Sequence, residues 1–183
     1  MTTRSPLRDP QLTRRDFLAG ATATAAALLV PRRSLAEPAV AGATGLSEAA
    51  RSAAAKSPLI YVSPLKSDGS ESLCHGEVWF AMDGDDLMVV TKPKRWRAAA
   101  IGKGLDRARI WVGDYGVWKR AEGRFHEAPS LVALASLESD RDAHTRALAK
   151  FGGKYSDEWS KWGPRFEQGL ASGKRVMIRY RPQ

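Results

Sequence analysis

A single cysteine, Cys74, among 183 residues excludes an internal disulfide, so the fold must hold through its core, a ligand or a partner. Only three histidines are present, His75, His126 and His144, and they show no recognised metal-ligand spacing, so no metal site is expected from them. No Gly-x-Ser-x-Gly occurs. Gly102-Lys103-Gly104 lacks both the further glycine and the strand-to-helix context of a phosphate loop or dinucleotide fingerprint. No apolar run reaches the roughly twenty residues that cross a bilayer. The longest, residues 19–30, is about a dozen long and rich in Ala and Thr. No internal repeat is visible. Acidic residues are the minority sign, 20 against 29 Lys and Arg, for a net +9.

The first segment accounts for much of that charge. Thr13-Arg14-Arg15-Asp16-Phe17-Leu18, preceded by Arg8 and followed by the short apolar run, resembles a twin-arginine export signal in which Ala19 stands where a dispensable lysine is frequent. Pro31, Arg32 and Arg33 then lead to Ser34-Leu35-Ala36, a small-x-small pattern suited to signal peptidase. Residues 1–36 are expected to be removed, with cleavage after Ala41 as a second option. No cysteine follows Ala36 to accept a lipid, so no stable membrane anchor is expected and the product should be soluble. Residues 1–36 hold six of the 29 basic and two of the 20 acidic residues, which leaves 23 against 18, a net +5 on about 147 residues, the size of one domain. The resemblance implies handling by the twin-arginine translocase, delivery to the periplasm or the secreted space, and transport in the folded state, which favours a protein that loads a cofactor first.

Residues 37–57 are dominated by Ala, Gly, Ser and Pro without aromatics, and read as a poorly ordered linker with room for a short helix. Residues 58–183 read as the folded domain. Strands are expected at 59–63, 72–82 and 87–91, separated by the turns Asp68-Gly69 and Asp83-Gly84 and arranged as a meander. A short Ala-rich helix over 95–101 should close at Gly102 or Gly104, followed by a strand over 107–113. Residues 117–121 and 124–127 read as two strands or as one interrupted by Gly123. Leu131, Leu134 and Leu137 recur at helical spacing, predicting helix from 130 to 151. A second helix is expected over 157–171, broken near Gly163-Pro164, and an alternating strand over 175–180. The expected class is mainly β with α, a six-stranded antiparallel barrel with interposed helices.

The order of these features resembles the flavin-binding split-barrel superfamily that includes pyridoxamine 5'-phosphate oxidase. The resemblance is carried by the Asp68-Gly69 hairpin, the strand Glu77-Val78-Trp79-Phe80, the passage Val90-Thr91-Lys92-Pro93-Lys94-Arg95-Trp96-Arg97, the strand Arg109-Ile110-Trp111-Val112-Gly113 and the closing Ile178-Arg179-Tyr180-Arg181-Pro182. It implies a split β-barrel, bound FMN and a homodimer with residues of both chains at each flavin, for which Val117 to Arg120 and the last strand are the partner-facing segments. It places the flavin phosphate at Thr91, Lys94, Arg95 and Arg97, and the ring along Val78 and Trp79. A phosphate does want a hydroxyl donor, guanidinium forks and free N–H groups. The same basic run also reads as a solvated turn, and Trp79 and Phe80 as ordinary barrel core. Stacking of nucleic acid on Trp96 is excluded by export and by the modest residual charge.

Departures from the better-known relatives matter. The arginine-rich substrate-phosphate signature of a true pyridoxamine phosphate oxidase is missing, so vitamin B6 synthesis is not expected. Deazaflavin and haem stay open as alternative cofactors, the latter needing a histidine ligand. The reading is an exported FMN-dependent oxidoreductase acting on a small-molecule substrate, against a barrel that binds a ligand without turnover, or a secreted interaction protein with a Trp-rich surface. Catalytic side chains are not assigned, since hydride chemistry belongs to the cofactor. Cys74 and His75, adjacent in an expected strand, should face opposite sides, with the thiol buried and the imidazole at the surface. Replacing Arg14 and Arg15 with lysine is expected to leave the protein in the cytoplasm; normal delivery in cell fractionation would remove the export reading.

Overall fold

The computed structural model describes residues 45–183; the twin-arginine motif, the expected cleavage sites and the first part of the expected linker lie outside the described residues. The chain runs α1 Glu48–Lys56, β1 Ile60–Pro64, β2 Gly76–Val78, β3 Ala81–Asp83, β4 Asp86–Thr91, α2 Trp96–Ile101, β5 Arg107–Val112, a 3-10 helix Arg124–Glu127, β6 Ser130–Glu138, α3 Arg141–Lys154, α4 Ser156–Ala171 and β7 Val176–Pro182. All paired strands are antiparallel, in the order β2-β1-β5-β6-β7-β4-β3. The fold is mainly β with α, as expected, with seven strands rather than six.

The two edge strands explain the shape. β2 and β3 sit at opposite edges of the sheet but are joined by only Trp79 and Phe80. Two extended residues span about 7 Å, so the sheet must curl until its edges nearly meet. The expected strand over 72–82 is thus one path broken where it crosses from one edge to the other, its two halves pairing with β1 and β4 in the expected split barrel. Alternation then sorts the side chains. Ile60, Val62, Leu87, Val89, Ile110, Val112, Leu131, Ala133, Ile178 and Tyr180 fill the interior, capped by Ala50 and Ala54 of α1. The helix α1 therefore belongs to the domain, and Ser47 caps it by accepting from the Ala50 N–H. On the outside, Met88, Val90 and Met177 lie beneath α3 and α4 with Phe151 and Phe166. Tyr61 and Trp111 lie beneath the 3-10 segment with Phe125.

Three expectations are corrected. Residues 130–138 are strand, not helix: Leu131, Ala133 and Ala135 point inward by twos, while Leu134 and Leu137, which suggested a helical stripe, are exposed. Residues 117–127 form turns and the 3-10 helix rather than strands. The break expected at Gly163-Pro164 is also absent, for α4 runs through Pro164. Gly163 and Gly152 leave room for the Trp159 ring between α3 and α4, where an added Cβ on either would come within 2.9 Å of it.

The junction of α3 and α4 locks the closure. The Tyr155 hydroxyl accepts from the Phe80 N–H and shares its single proton between the carbonyls of Phe80 and Pro58, each at 2.9 Å, and its ring stacks on Trp79 at 4.3 Å. Tyr155→Phe strands two buried backbone groups and should lower unfolding stability by about 1–3 kcal/mol, read by denaturant titration; no change would mean the closure rests elsewhere. On the outer face, Arg179 bonds Asp86, Glu138 and Asp83 at 2.7, 2.7 and 3.2 Å. Burial alone would raise the Glu138 carboxyl, but the Asp140 N–H and Arg179 hold it below the usual range. A depressed carboxylate contributes stability above its unfolded pKa and loses it as pH falls through the folded value. Arg179→Met should accordingly flatten the acid limb of the stability profile.

Candidate functional site

β4 ends inside the barrel wall at Thr91, which is buried on the interior-facing side it shares with Leu87 and Val89. The chain then turns through exposed Lys92, Lys94 and Arg95 into α2, which brings Arg97 back beneath Thr91. One guanidinium nitrogen, Nη1, lies 3.4 Å from Thr91 Oγ1, and the group covers the Trp96 ring at 4.9 Å. Gly76 makes this fit possible, since a Cβ there would stand 2.9 Å from Arg97 Nη2. The Nε of Arg97 is enclosed and has no hydrogen-bond partner. Burial lowers its pKa, with Arg95 adding to that effect, while Tyr180 and Glu77 oppose it.

From this corner opens a groove of about 450 Å³ lined by Val90, Thr91, Lys92, Arg95, Arg97, Trp162, Arg165 and Arg175, with no carboxylate in its wall. Arg165 and Arg175 reach it from α4 and the approach to β7, lying against Trp162 at 5.2 and 5.9 Å. Burial and the neighbouring Arg165 pull the Arg175 pKa down. Among the described residues, none of these five cations forms an ion pair. Like charges do not gather without counter-ions at no cost: an enclosed, unpaired ion costs about several kcal/mol. The groove thus presents five cations and no carboxylate in its lining. It continues past Val90, Trp162 and Arg175 into an apolar hollow of about 330 Å³ walled by Val78, Trp79, Phe166 and Glu158.

Of the residues marked from sequence, Thr91, Arg95 and Arg97 line the basic groove and Val78 and Trp79 line the adjoining hollow, whereas Lys94 is exposed and lines neither. Sequence reasoning missed Arg165, Arg175 and Trp162. Their signal was the Trp162-x-x-Arg165 spacing on one helical turn, which alone says nothing of the strand it faces. α2 has six residues and Arg95 makes no side-chain capping bond, so the cradle is one of side chains rather than of a helix end.

A second cluster lies on the opposite face of β2. Glu71, His75 and His126 each offer one ligand atom within 4.8 Å of the others, which no spacing in the sequence foretold. His75 is partly enclosed while Cys74 is exposed, the reverse of the expected roles, because the two residues lie in the loop before β2 rather than in a strand. Burial lowers the His75 pKa, against the pull of Glu71 and aided by His126.

The family model of the twin-arginine translocation pathway signal sequence matches residues 11–31, so the chain carries a signal for export to the periplasm or the secreted space. No curated protein matches the sequence. Among solved structures, the conserved hypothetical protein Rv2991 of Mycobacterium tuberculosis aligns with TM-score 0.50 at 18% identity, over 74% of this chain and 80% of that one. A Bacteroides thetaiotaomicron protein put forward as a 5-nitroimidazole antibiotic resistance protein aligns at 0.50 with 12% identity, over 73% and 77%. A heme binding protein of Mycobacterium smegmatis aligns at 0.51 with 13% identity, over 74% of this chain and 50% of its own. The likeness at these identities is one of fold. Among the described residues, no helix is long and apolar enough to cross a membrane.

An unpaired enclosed cation predicts an asymmetric mutant. In ligand-free protein Arg97→Met should raise the melting temperature, while inorganic phosphate should stabilise the wild type and leave the variant unmoved. A wild type indifferent to phosphate, with a variant that melts lower, would show the groove to be structural.

Proposed function

We propose that this protein is an exported FMN-binding oxidoreductase acting on a small-molecule substrate. The observation that carries the reading is the enclosed Arg97 beside Thr91, without a counter-ion, at the head of a carboxylate-free groove that runs into an aromatic hollow. A ligand with a phosphate at one end and a flat apolar system at the other matches that sequence of surfaces. Thr91 and Arg97 would hold the phosphate, with Lys92, Arg95, Arg165 and Arg175 supplying the surrounding positive field. Val78, Trp79 and Trp162 would wall the ring system and keep water from one face. When bound, FMN supplies the hydride and electron transfer, and the chain supplies orientation and electrostatics. The hollow's open side leaves room for substrate, and the resemblance to split-barrel oxidases supports a homodimer that covers it.

The test is the visible spectrum of the exported protein, as purified and after reconstitution with FMN. Paired near-ultraviolet and blue bands are expected, with reduction by a nicotinamide donor and reoxidation by an added acceptor. Thr91→Ala with Arg97→Ala should weaken FMN binding by about 100-fold or more, taking at least 1.5 kcal/mol for each charge-assisted bond lost. A Soret band in place of flavin bands would replace FMN with haem. Bound flavin that no donor reduces would make the protein a binding module, and a protein that ignores FMN would remove the reading.

A further inference from the structure

We propose that Glu71, His75 and His126 form a binding site for a divalent first-row transition ion, zinc foremost, on the face of β2 turned away from the basic groove. The three side chains come from separate places: Glu71 from the loop after β1, where it bridges Leu65, His75 from the residue preceding β2, and His126 from the 3-10 helix. Their ligand atoms lie within 4.8 Å of one another. Ligands about 2.0–2.2 Å from a shared tetrahedral ion stand about 3.3 Å apart, so each side chain need close by less than about 1 Å. Two imidazoles and one carboxylate are a donor set suited to zinc that keeps a further position open to water.

Polar atoms left over in the site point the same way. Nδ1 of His75 is buried with no hydrogen-bond partner, and so is Nε of Arg109, which stands 3.8 Å from Glu71 Oε1. Buried polar atoms without partners are uncommon and call for an explanation. A bound ion supplies one for the imidazole. It also draws Glu71 inward, leaving its other oxygen to Arg109, the kind of outer contact that orients a ligating carboxylate.

The surroundings are rigid enough to hold such a geometry. Trp118 and Phe125 lie 5.7 Å from the His75 ring, and Trp111 stands 4.7 Å from His126. The segment carrying His126 is pinned by Tyr61, whose hydroxyl accepts from the Tyr115 N–H and donates to the Gly116 carbonyl, while its ring stacks on Phe125. Glu77 accepts the Trp118 N–H and fixes the same segment to β2. An aromatic wall on one side and exposed His126 on the other give a site that is supported and reachable.

The experiment uses the exported protein, stripped with a chelator and dialysed against Zn²⁺, with bound zinc counted by mass spectrometry and Co²⁺ substituted to read coordination from its visible bands. One equivalent of zinc per chain is expected. Glu71→Gln and His126→Gln, at the rim, should each weaken zinc binding by no less than the ~10–100-fold that loss of an outer-shell partner alone costs, with circular dichroism unchanged. His75→Ala should do the same, but it also removes a ring from the aromatic cluster, so the two rim variants decide the matter. His144→Ala, on α3 with its Nε2 at the Glu138 carbonyl, should bind zinc normally. Substoichiometric zinc, rim variants that bind as the wild type does, or an equal loss in His144→Ala would each overturn the site. FMN binding is a separate readout, expected to be unaffected in the rim variants, so the two sites fail or stand independently.

Discussion

The backbone of Phe80 lies between two paired stretches and belongs to neither, so its N–H and C=O depend on one hydroxyl, that of Tyr155. This contact turns a seven-stranded sheet into a barrel. Without it the Trp79-Phe80 link would have to satisfy its polar groups in water, and the edges β2 and β3 would be free to part. The same phenol reaches the Pro58 carbonyl and stacks on Trp79, so the start of β1, the crossing point and the α3–α4 junction are tied at one atom and one ring. Lys154, one residue earlier, adds a bond to the Ala54 carbonyl and lies 3.3 Å above the Phe80 ring, bringing α1 into the same knot. Both candidate sites adjoin β2 and its continuation, with the aromatic hollow at Val78 and Trp79 on one side and the histidine cluster before Gly76 on the other.

Two groups of arginines show how differently this molecule treats the same charge. Arg179 is satisfied by three carboxylates, and its pKa is raised even though burial opposes it. That is what an arginine with a structural role looks like: Asp83 and Asp86 come from the turn joining β3 to β4, Glu138 from the end of β6, and one guanidinium fixes their register. Arg97, Arg165 and Arg175 have no such partners, and two of them have pKa values lowered by burial. A fold able to neutralise Arg179 so fully could have placed an acid beside Arg97. It placed Thr91 and Gly76 there instead, a hydroxyl at 3.4 Å and a residue without a Cβ that leaves space for the guanidinium itself.

How far the sequence could be read follows from what each signal measures. Turn chemistry was dependable: Asp68-Gly69 and Asp83-Gly84 sit where expected because positive φ at Gly69 and Gly84 is a local demand. Strands with one dominant face were also legible, as in β4 and β7. Residues 130–138 mislead because a leucine spacing of three mimics a helical stripe, while the inward positions are held by Leu131, Ala133 and Ala135, two of them small. Small residues carry little hydrophobic signal yet fill a barrel interior well. In the candidate site, Thr91 and the basic run were visible because they are contiguous, whereas Arg165, Arg175, Glu71 and His126 are brought in by tertiary closure, which no local pattern encodes.

Export in the folded state sets the energetic terms on which these sites must work. With one cysteine the domain gains nothing from an oxidising compartment, so its stability outside the cytoplasm comes from the core and from whatever it binds. A ligand that binds only the native state stabilises it by RT ln(1 + [L]/Kd), about 2.7 kcal/mol at a hundredfold excess over Kd. The unpaired cations of the groove make that contribution large for an anion, because binding removes a repulsion as well as adding contacts. On the proposed reading the loaded domain is the more stable one, and a pathway that carries folded chains would carry it in preference to the empty form. On these terms an anionic cofactor of the kind proposed would be taken up before the signal at residues 11–31 is read.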